Sequence, residues 1–417
     1  MRVYENKQIN EKIYEMEHHS GLRVLIVPKK FTKSYAIIGT RYGSIDSEFN
    51  GVVVPDGIAH FLEHKLFEQP SGENAFDEFG RLGASANAYT SFTNTCYLFS
   101  ATSNFYESLE ILLDFVFAPH FTAENVAKEQ GIIAQEIRMY DDDPSWRVFF
   151  NMLGGMFHKH PVRRDIAGTV ESISEITPET LQFCYDTFYN PANMVLVVAG
   201  DIDIDEVMKR IDDGVRVSEA GVIERAAVDE PEGIFQAEVE QKLAVSESIF
   251  LMGFKGRVTP LSGAELLRED IISSIAMEIA IGRVSPLYEK LYDSGLINES
   301  FSFDFVGEES FSYASLGGES SEPSRVREVV KEAIEAGFEV QDADVERIKN
   351  KLIGRYMRRF NDVERIGHEV ISDAFCGINS LEYLEICEGV TADMVRARLG
   401  EMLDTEKMVL SVVAAMP

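Results

Sequence analysis

Two histidines and a glutamate lie close together in His60-Phe61-Leu62-Glu63-His64. Residues four apart share one face of a helix, a turn apart. His60 and His64 can therefore offer two neutral imidazoles to one zinc ion. Glu63 flanks the same face and is placed to act as general base toward a water on the metal. A hydrolytic zinc site needs a third protein ligand, with the fourth position left for water. The candidate is in Glu129-Gln-Gly-Ile-Ile-Ala-Gln-Glu136, where two carboxylates seven residues apart share a helix face two turns apart. Glu136 supplies the ligand on this reading. Glu129 takes the free ring N–H of His60 or His64, as carboxylates behind metal-bound histidines do.

Each half of this pattern has an ordinary reading by itself, a chance motif or a solvated helix face. Together, in this order, they define a site. The remaining histidines do not: His18 and His19 fall in a turn, His158 and His160 lie two apart just before Pro161 without a third ligand, and His120 and His368 are isolated. All six are expected in loops or at the surface. Cys96, Cys184, Cys376 and Cys387 form no C-x-x-C pair and are expected as four buried thiols. No G-x-S-x-G elbow and no glycine-rich phosphate loop is present.

The 417 residues exceed one ordinary domain and suit two. A formal net charge of −31 excludes a phosphate backbone as partner, which needs Lys and Arg. No apolar run is long enough to span a membrane, and the N-terminus lacks the apolar core of a secretory signal. A cytoplasmic protein without membrane or nucleic-acid partners is expected.

The elements that must carry the site follow from periodicity. Lys12–Glu17 and Leu22–Pro28 read as a hairpin, Ser34–Tyr42 as a third strand, and Gly57–Glu68 and Asn74–Leu82 as helices. Ala86–Tyr89 and Thr95–Ala101 alternate like strands. Helices follow near 104–117, 123–140, 144–157, 178–189 and 203–213, with a buried strand at Asn193–Gly200. Residues 214–234 read as a linker. Beyond it come strands in Phe235–Gly253, helices near 262–281 and 286–293, strands near 300–306 and 311–317, helices near 323–337, 342–361 and 390–402, and the strand Lys407–Ala415. That last strand echoes Asn193–Gly200, and the helix at 342–361 echoes the one ending at Tyr140, both about 215 residues on. We expect a duplicated α+β unit: a domain at 1–220 carrying the zinc motif, and a homologous domain at 235–417 lacking it.

The chain resembles the M16 family of metallopeptidases, which includes insulysin, pitrilysin and the mitochondrial processing peptidase. Gly57-Ile-Ala-His-Phe-Leu-Glu-His-Lys-Leu-Phe67, Gly83-Ala-Ser-Ala-Asn-Ala-Tyr-Thr-Ser91, and Glu129 through Glu136 to Tyr140-Asp-Asp-Asp-Pro144 carry the likeness. The resemblance implies an α+β fold with two homologous domains, each a mostly antiparallel sheet covered by helices, forming half of a clamshell chamber. It implies Zn2+ held by His60, His64 and Glu136, Glu63 as base, and Glu129 behind the ligands. Asn87 and Ala88 fall where the family's edge strand binds peptide backbone by strand addition.

One departure stands out. The family's second half usually carries an Arg and, seven residues on, a Tyr. Here the corresponding stretch is Leu287-Tyr-Glu-Lys-Leu-Tyr-Asp-Ser-Gly-Leu-Ile-Asn298. Leu291 or Tyr292 stands in place of Arg, and Asn298 or Glu299 in place of Tyr. The expectation is a zinc endopeptidase acting on peptides or unfolded segments, as the catalytic subunit of a heterodimer whose homologous partner supplies that pair, with a homodimer as the simpler arrangement. The rival readings are a leader-peptide maturation peptidase and a non-catalytic scaffold subunit.

Overall fold

The computed structural model describes residues 1–69, 72, 74–215, 221–258 and 261–416. Residues 216–220, at the start of the expected linker, lie outside them. In the first half the strands are β1 (Arg2–Asn6), β2 (Glu11–Glu17), β3 (Arg23–Pro28), β4 (Ser34–Thr40), a short β5–β6 hairpin (Glu48–Phe49, Val52–Val53), β7 (Ser85–Thr90), β8 (Thr95–Ala101) and β9 (Met194–Gly200). The helices there are α1 (Ile58–Leu66), α2 (Ala75–Leu82), α3 (Phe105–Phe117), α4 (Ala123–Asp141), α5 (Pro144–Met156), α6 (Val170–Ser174), α7 (Pro178–Phe188) and α8 (Ile204–Gly214). The second half has β10 (Glu238–Leu243), β11 (Ile249–Lys255), β12 (Ser302–Gly307), β13 (Ser312–Glu319) and β14 (Met408–Ala415). Its helices are α9 (Gly263–Ile281), α10 (Pro286–Asp293), α11 (Pro323–Ala336), α12 (Asp342–Arg359), α13 (Val363–Phe375), α14 (Tyr383–Glu388) and α15 (Ala392–Met402).

The two halves repeat one strand order. The first sheet runs β1-β2-β3-β9-β4-β8-β7 and the second β10-β14-β11-β13-β12. In each, the late strand inserts between the first two of a five-strand core. It pairs parallel with one neighbour (β3 with β9, β10 with β14) and antiparallel with the other. The echo between Asn193–Gly200 and Lys407–Ala415 is this inserted strand, and both copies are buried over most of their length because helices cover them. The duplicated α+β architecture is therefore present. β1, an edge addition to the first sheet, was not foreseen.

Each compact unit draws on a segment from the other half of the sequence. One unit holds Met1–Ile137, Asp165–Ala227 and Tyr356–Glu382; the other holds Arg138–Arg164, Val228–Arg355 and Tyr383–Pro417. Helix α13 packs on β9 and β4, the centre of the first sheet, and α5 packs on β14 and β11, the centre of the second. Both helices open on an aspartate cap: Asp143 accepts from the Ser145 and Trp146 amides, and Asp362 from that of Glu364.

Two of the six histidines expected in loops or at the surface lie outside helices and strands but are buried. His18 bridges Ser20 and Asp212, tying the β2–β3 turn to the end of α8. The Nδ1 of His160 accepts from the Val162 amide, while Nε2 meets the Ser310 hydroxyl; burial pushes this imidazole down to about 4. Turn position alone does not decide exposure, because a polar ring can be buried where turn amides and hydroxyls satisfy it. Three of the cysteines are buried, and Cys376 is half-buried. Among the described residues no single helix is long and apolar enough to cross a membrane.

Candidate metal centre

The helix that carries the motif is buried on nearly every side. Phe61, Leu62 and Leu66 fill the core beneath it, so His60 and Glu63 are drawn in to 8% exposure each. Its start is fixed by Gly57, whose φ of 88° is the left-handed conformation open to glycine. A Cβ there would stand 2.4 Å from the Ala167 carbonyl oxygen. The Ser172 hydroxyl holds the preceding carbonyl of Asp56 at 2.8 Å. Helix α4 is anchored by Gln130, whose amide donates to the carbonyls of Ile173 and Ile176 beyond the helix's own ladder.

These anchors bring α1 and α4 together. Nε2 of His60 lies 3.8 Å from one oxygen of Glu136, and Nε2 of His64 lies 3.5 Å from the other. Donor atoms of His60, His64 and Glu136 fall within 4.8 Å of one another. Two ligands of a tetrahedral zinc at the usual bond lengths stand about 3.3 Å apart, so the three groups fit a common ion after small adjustments. On its other side His64 offers Nδ1 to Glu129 at 3.1 Å, which leaves Nε2 toward Glu136. Of the two histidines left open at this point, Glu129 takes His64. The Nδ1 of His60 is buried without a hydrogen-bond partner among the described residues.

Behind Glu129 stands a residue that sequence reasoning passed over. Lys65 is fully buried, 3.6 Å from Glu129 and in contact with Glu68. A Lys inside the motif helix reads as solvated in a linear sequence; only the fold turns it inward. Glu63 in turn accepts a hydrogen bond from the Thr90 hydroxyl at 2.6 Å.

The electrostatics agree with a cation site. Burial, and then the neighbouring His64, pull His60 down to about 4, so it is a neutral donor at ordinary pH. Burial pulls His64 down too, but its bond to Glu129 and the surrounding carboxylates outweigh that and raise it. Burial raises Glu63, the Thr90 bond opposing it. Glu129 ends below its ordinary value: burial pushes up, and His64 and Lys65 pull further down. Three carboxylates and two imidazoles thus face one small volume with Lys65 as their buried cation, which favours a divalent ion among them.

Asn87 and Ala88 lie on β7, the edge strand of the first sheet. They line a cavity of about 410 Å3 together with Glu63, His64, Phe67 and Ile132. The stretch that departs from the family pattern forms α10 and the turn after it. Leu291 is fully buried, Tyr292 is exposed and stacks with Tyr288, and Asn298 donates to Glu319 at 2.9 Å.

A sheet-and-helix unit occurring twice, with an H-x-x-E-H helix in one copy, defines a class of metallopeptidase-like proteins. Comparison with known proteins agrees. Residues 54–170 match the insulinase family, peptidase family M16, and residues 175–352 match the peptidase M16 inactive domain. The chain is 41% identical over 419 residues to a Bacillus subtilis (strain 168) protein named "Uncharacterized zinc protease YmfH", with 98% of each chain covered. It is similar in structure to a putative M16-like peptidase from Alicyclobacillus acidocaldarius, with TM-score 0.92 and 35% identity over 97% of this chain and 99% of that one. Pitrilysin shares the fold at 15% identity and TM-score 0.76, and the match takes in 99% of this chain but 46% of pitrilysin. The chain belongs to the M16 family, and its relatives support a peptidase.

Proposed function

We propose that this chain is a zinc-dependent endopeptidase for peptides and unfolded segments, with His60, His64 and Glu136 as metal ligands and Glu63 as general base. The convergence of those three donors, with Glu63 on the same helix, carries the reading. Zinc bound there would polarise the scissile carbonyl and make water acidic enough to attack near neutral pH. The protein's own groups do the rest. Glu63, kept largely from solvent, takes the proton from the attacking water and passes it to the leaving amine. Glu129 holds the His64 ring by its Nδ1–H, and Lys65 offsets the charge of Glu129. Peptide backbone adds to the free edge of β7 at Asn87 and Ala88, so an extended chain is selected over a folded one.

The chain acts on this reading as the catalytic member of a pair. No Arg–Tyr pair stands in the stretch 287–299, where Leu291 is core and Asn298 is engaged with Glu319. Charge stabilisation by such donors is worth about 3 kcal/mol of barrier, and a homologous chain can supply it. Pitrilysin matches this chain over about half its own length, in keeping with such a two-part assembly.

The test is hydrolysis of a quenched, unstructured peptide by the zinc-loaded chain, with and without a homologous chain that carries the Arg and Tyr. Turnover that needs Glu63 and rises with the partner supports both parts. Full turnover by the chain alone removes the need for a partner. Bound zinc with no turnover under any pairing leaves the scaffold reading.

A further inference from the structure

We infer that Thr90 is a positioning residue for Glu63, so that the strand offered to substrate also sets the orientation of the base. The inference rests on the peptidase reading of the same site. Glu63 has a flexible side chain, and a base must meet its proton within hydrogen-bond reach. Helix α1 fixes only the Cα of Glu63. The carboxylate is caught from another element: the Thr90 hydroxyl donates to Oε2 at 2.6 Å. That leaves Oε1 as the oxygen not engaged by Thr90.

The hydroxyl is itself held. Thr90 ends β7 and pairs across the ladder with Thr95, which is fully buried. The Thr95 hydroxyl reaches the Tyr42 carbonyl at 2.9 Å and the Thr90 oxygen at 3.3 Å. With the Thr90 proton committed to Glu63, its oxygen takes at most a share of the single Thr95 proton, whose nearer acceptor is the Tyr42 carbonyl. The turn that follows is closed by Ser91, which accepts from the amides of Thr93 and Asn94. It sits directly on the backbone of Gly43, where a Cβ would stand 2.3 Å from the Phe92 carbonyl. The backbone amides of Ser44 and Ile45, which follow Gly43, donate to the Ser91 and Phe92 carbonyls of the same turn.

The geometry separates two jobs. Metal ligands come from α1 and α4, while the orientation of the base is set from β7. A peptide laid on β7 would share a frame with Thr90, so scissile bond and base carboxylate would be oriented from one strand.

The experiment compares zinc-loaded wild-type, Thr90→Val and Thr90→Ser chains. Valine keeps the shape and suits a strand but cannot donate; serine keeps the hydroxyl. Crystal structures of all three report the Glu63 carboxylate whether or not the chain turns over. Peptide hydrolysis, with the partner chain if one is needed, reports kcat and KM. Valine is expected to release the carboxylate from its wild-type position and lower kcat on the order of tenfold to a hundredfold. KM should stay within about threefold, because ground-state binding is untouched, and zinc content should be unchanged. Serine should restore both the position and most of kcat. A carboxylate that stays in place in the valine chain overturns the inference, as does a rate loss that serine does not recover. Absence of Glu63-dependent hydrolysis in every pairing would instead sink the peptidase reading, with the carboxylate positions still deciding the role of Thr90.

Discussion

The same pair of helices meets differently in the two units. In the first, α1 and α4 face each other through His60, His64, Glu63, Glu129 and Glu136, a set rich in carboxylates with buried Lys65 as its cation. In the second, the helices at the corresponding places are α9, between the second and third strands of the shared core in chain order, and α12, which precedes the exchanged helix α13 as α4 precedes α5. There the buried Glu278 pairs with Lys351 and lies 3.7 Å from Arg355. Protein cations answer the carboxylate in the second unit; in the first, Lys65 reaches Glu129 and Glu68, while Glu136 faces the two imidazoles. One scaffold thus gathers imidazoles and carboxylates in one unit and closes an ion pair in the other, according to whether the facing helix offers Glu or Lys and Arg.

Breaking the comparison at the base should have the largest effect. Glu63→Gln keeps every metal ligand and removes the proton acceptor, so kcat should fall on the order of a thousandfold while zinc content holds. A variant that keeps near-wild-type turnover would move the base elsewhere. Next comes the support behind His64. Glu129→Gln should weaken zinc binding about tenfold to a hundredfold, measured by competition with a chelator; unchanged affinity would reduce Glu129 to packing.

The two histidines sharpen the contrast through pH. His60 is already neutral, being pulled to about 4, whereas His64 is raised. A base with a raised pKa stays protonated to higher pH, so protons compete with zinc at His64 first and affinity should fall as pH drops through that range. Removing the Glu129 charge should move this loss to lower pH, since that carboxylate helps hold the proton. Chelator competition from about pH 8 to about pH 5 checks it. The smallest effect belongs to the second unit. Glu278→Gln should cost about 1 kcal/mol of stability, because both cations are partly exposed. The rate per bound zinc should be unchanged, which thermal unfolding and turnover measure separately.

Much of the candidate site was legible because its residues lie close together in sequence. His60, Glu63 and His64 lie within one helical turn, and the spacing from Glu129 to Glu136 fixes their shared face. What escaped depends on contacts distant in sequence. Thr90 reaches Glu63 across 27 residues, and nothing in Asn-Ala-Tyr-Thr reveals which threonine faces a helix. Lys65 looks solvated until α1 is buried. The strand echo at 193–200 and 407–415 was visible and marked the inserted central strand, but pairing order is a tertiary fact. Helix α13 was passed over, although Asp362 caps it and Val363, Ile366, Val370 and Ile371 mark its buried face. Which sheet α13 and α5 would cover could not be read from adjacency, because neither lies in the unit that its sequence position suggests.

The comparison turns on where metal binds, so its most direct test is an anomalous difference map at the zinc edge from zinc-loaded crystals. The account predicts a peak bonded to His60, His64 and Glu136, and none beside Glu278. No peak among those three residues, or zinc held instead at the other His–Asp cluster, His18, His19 and Asp212, would contradict it.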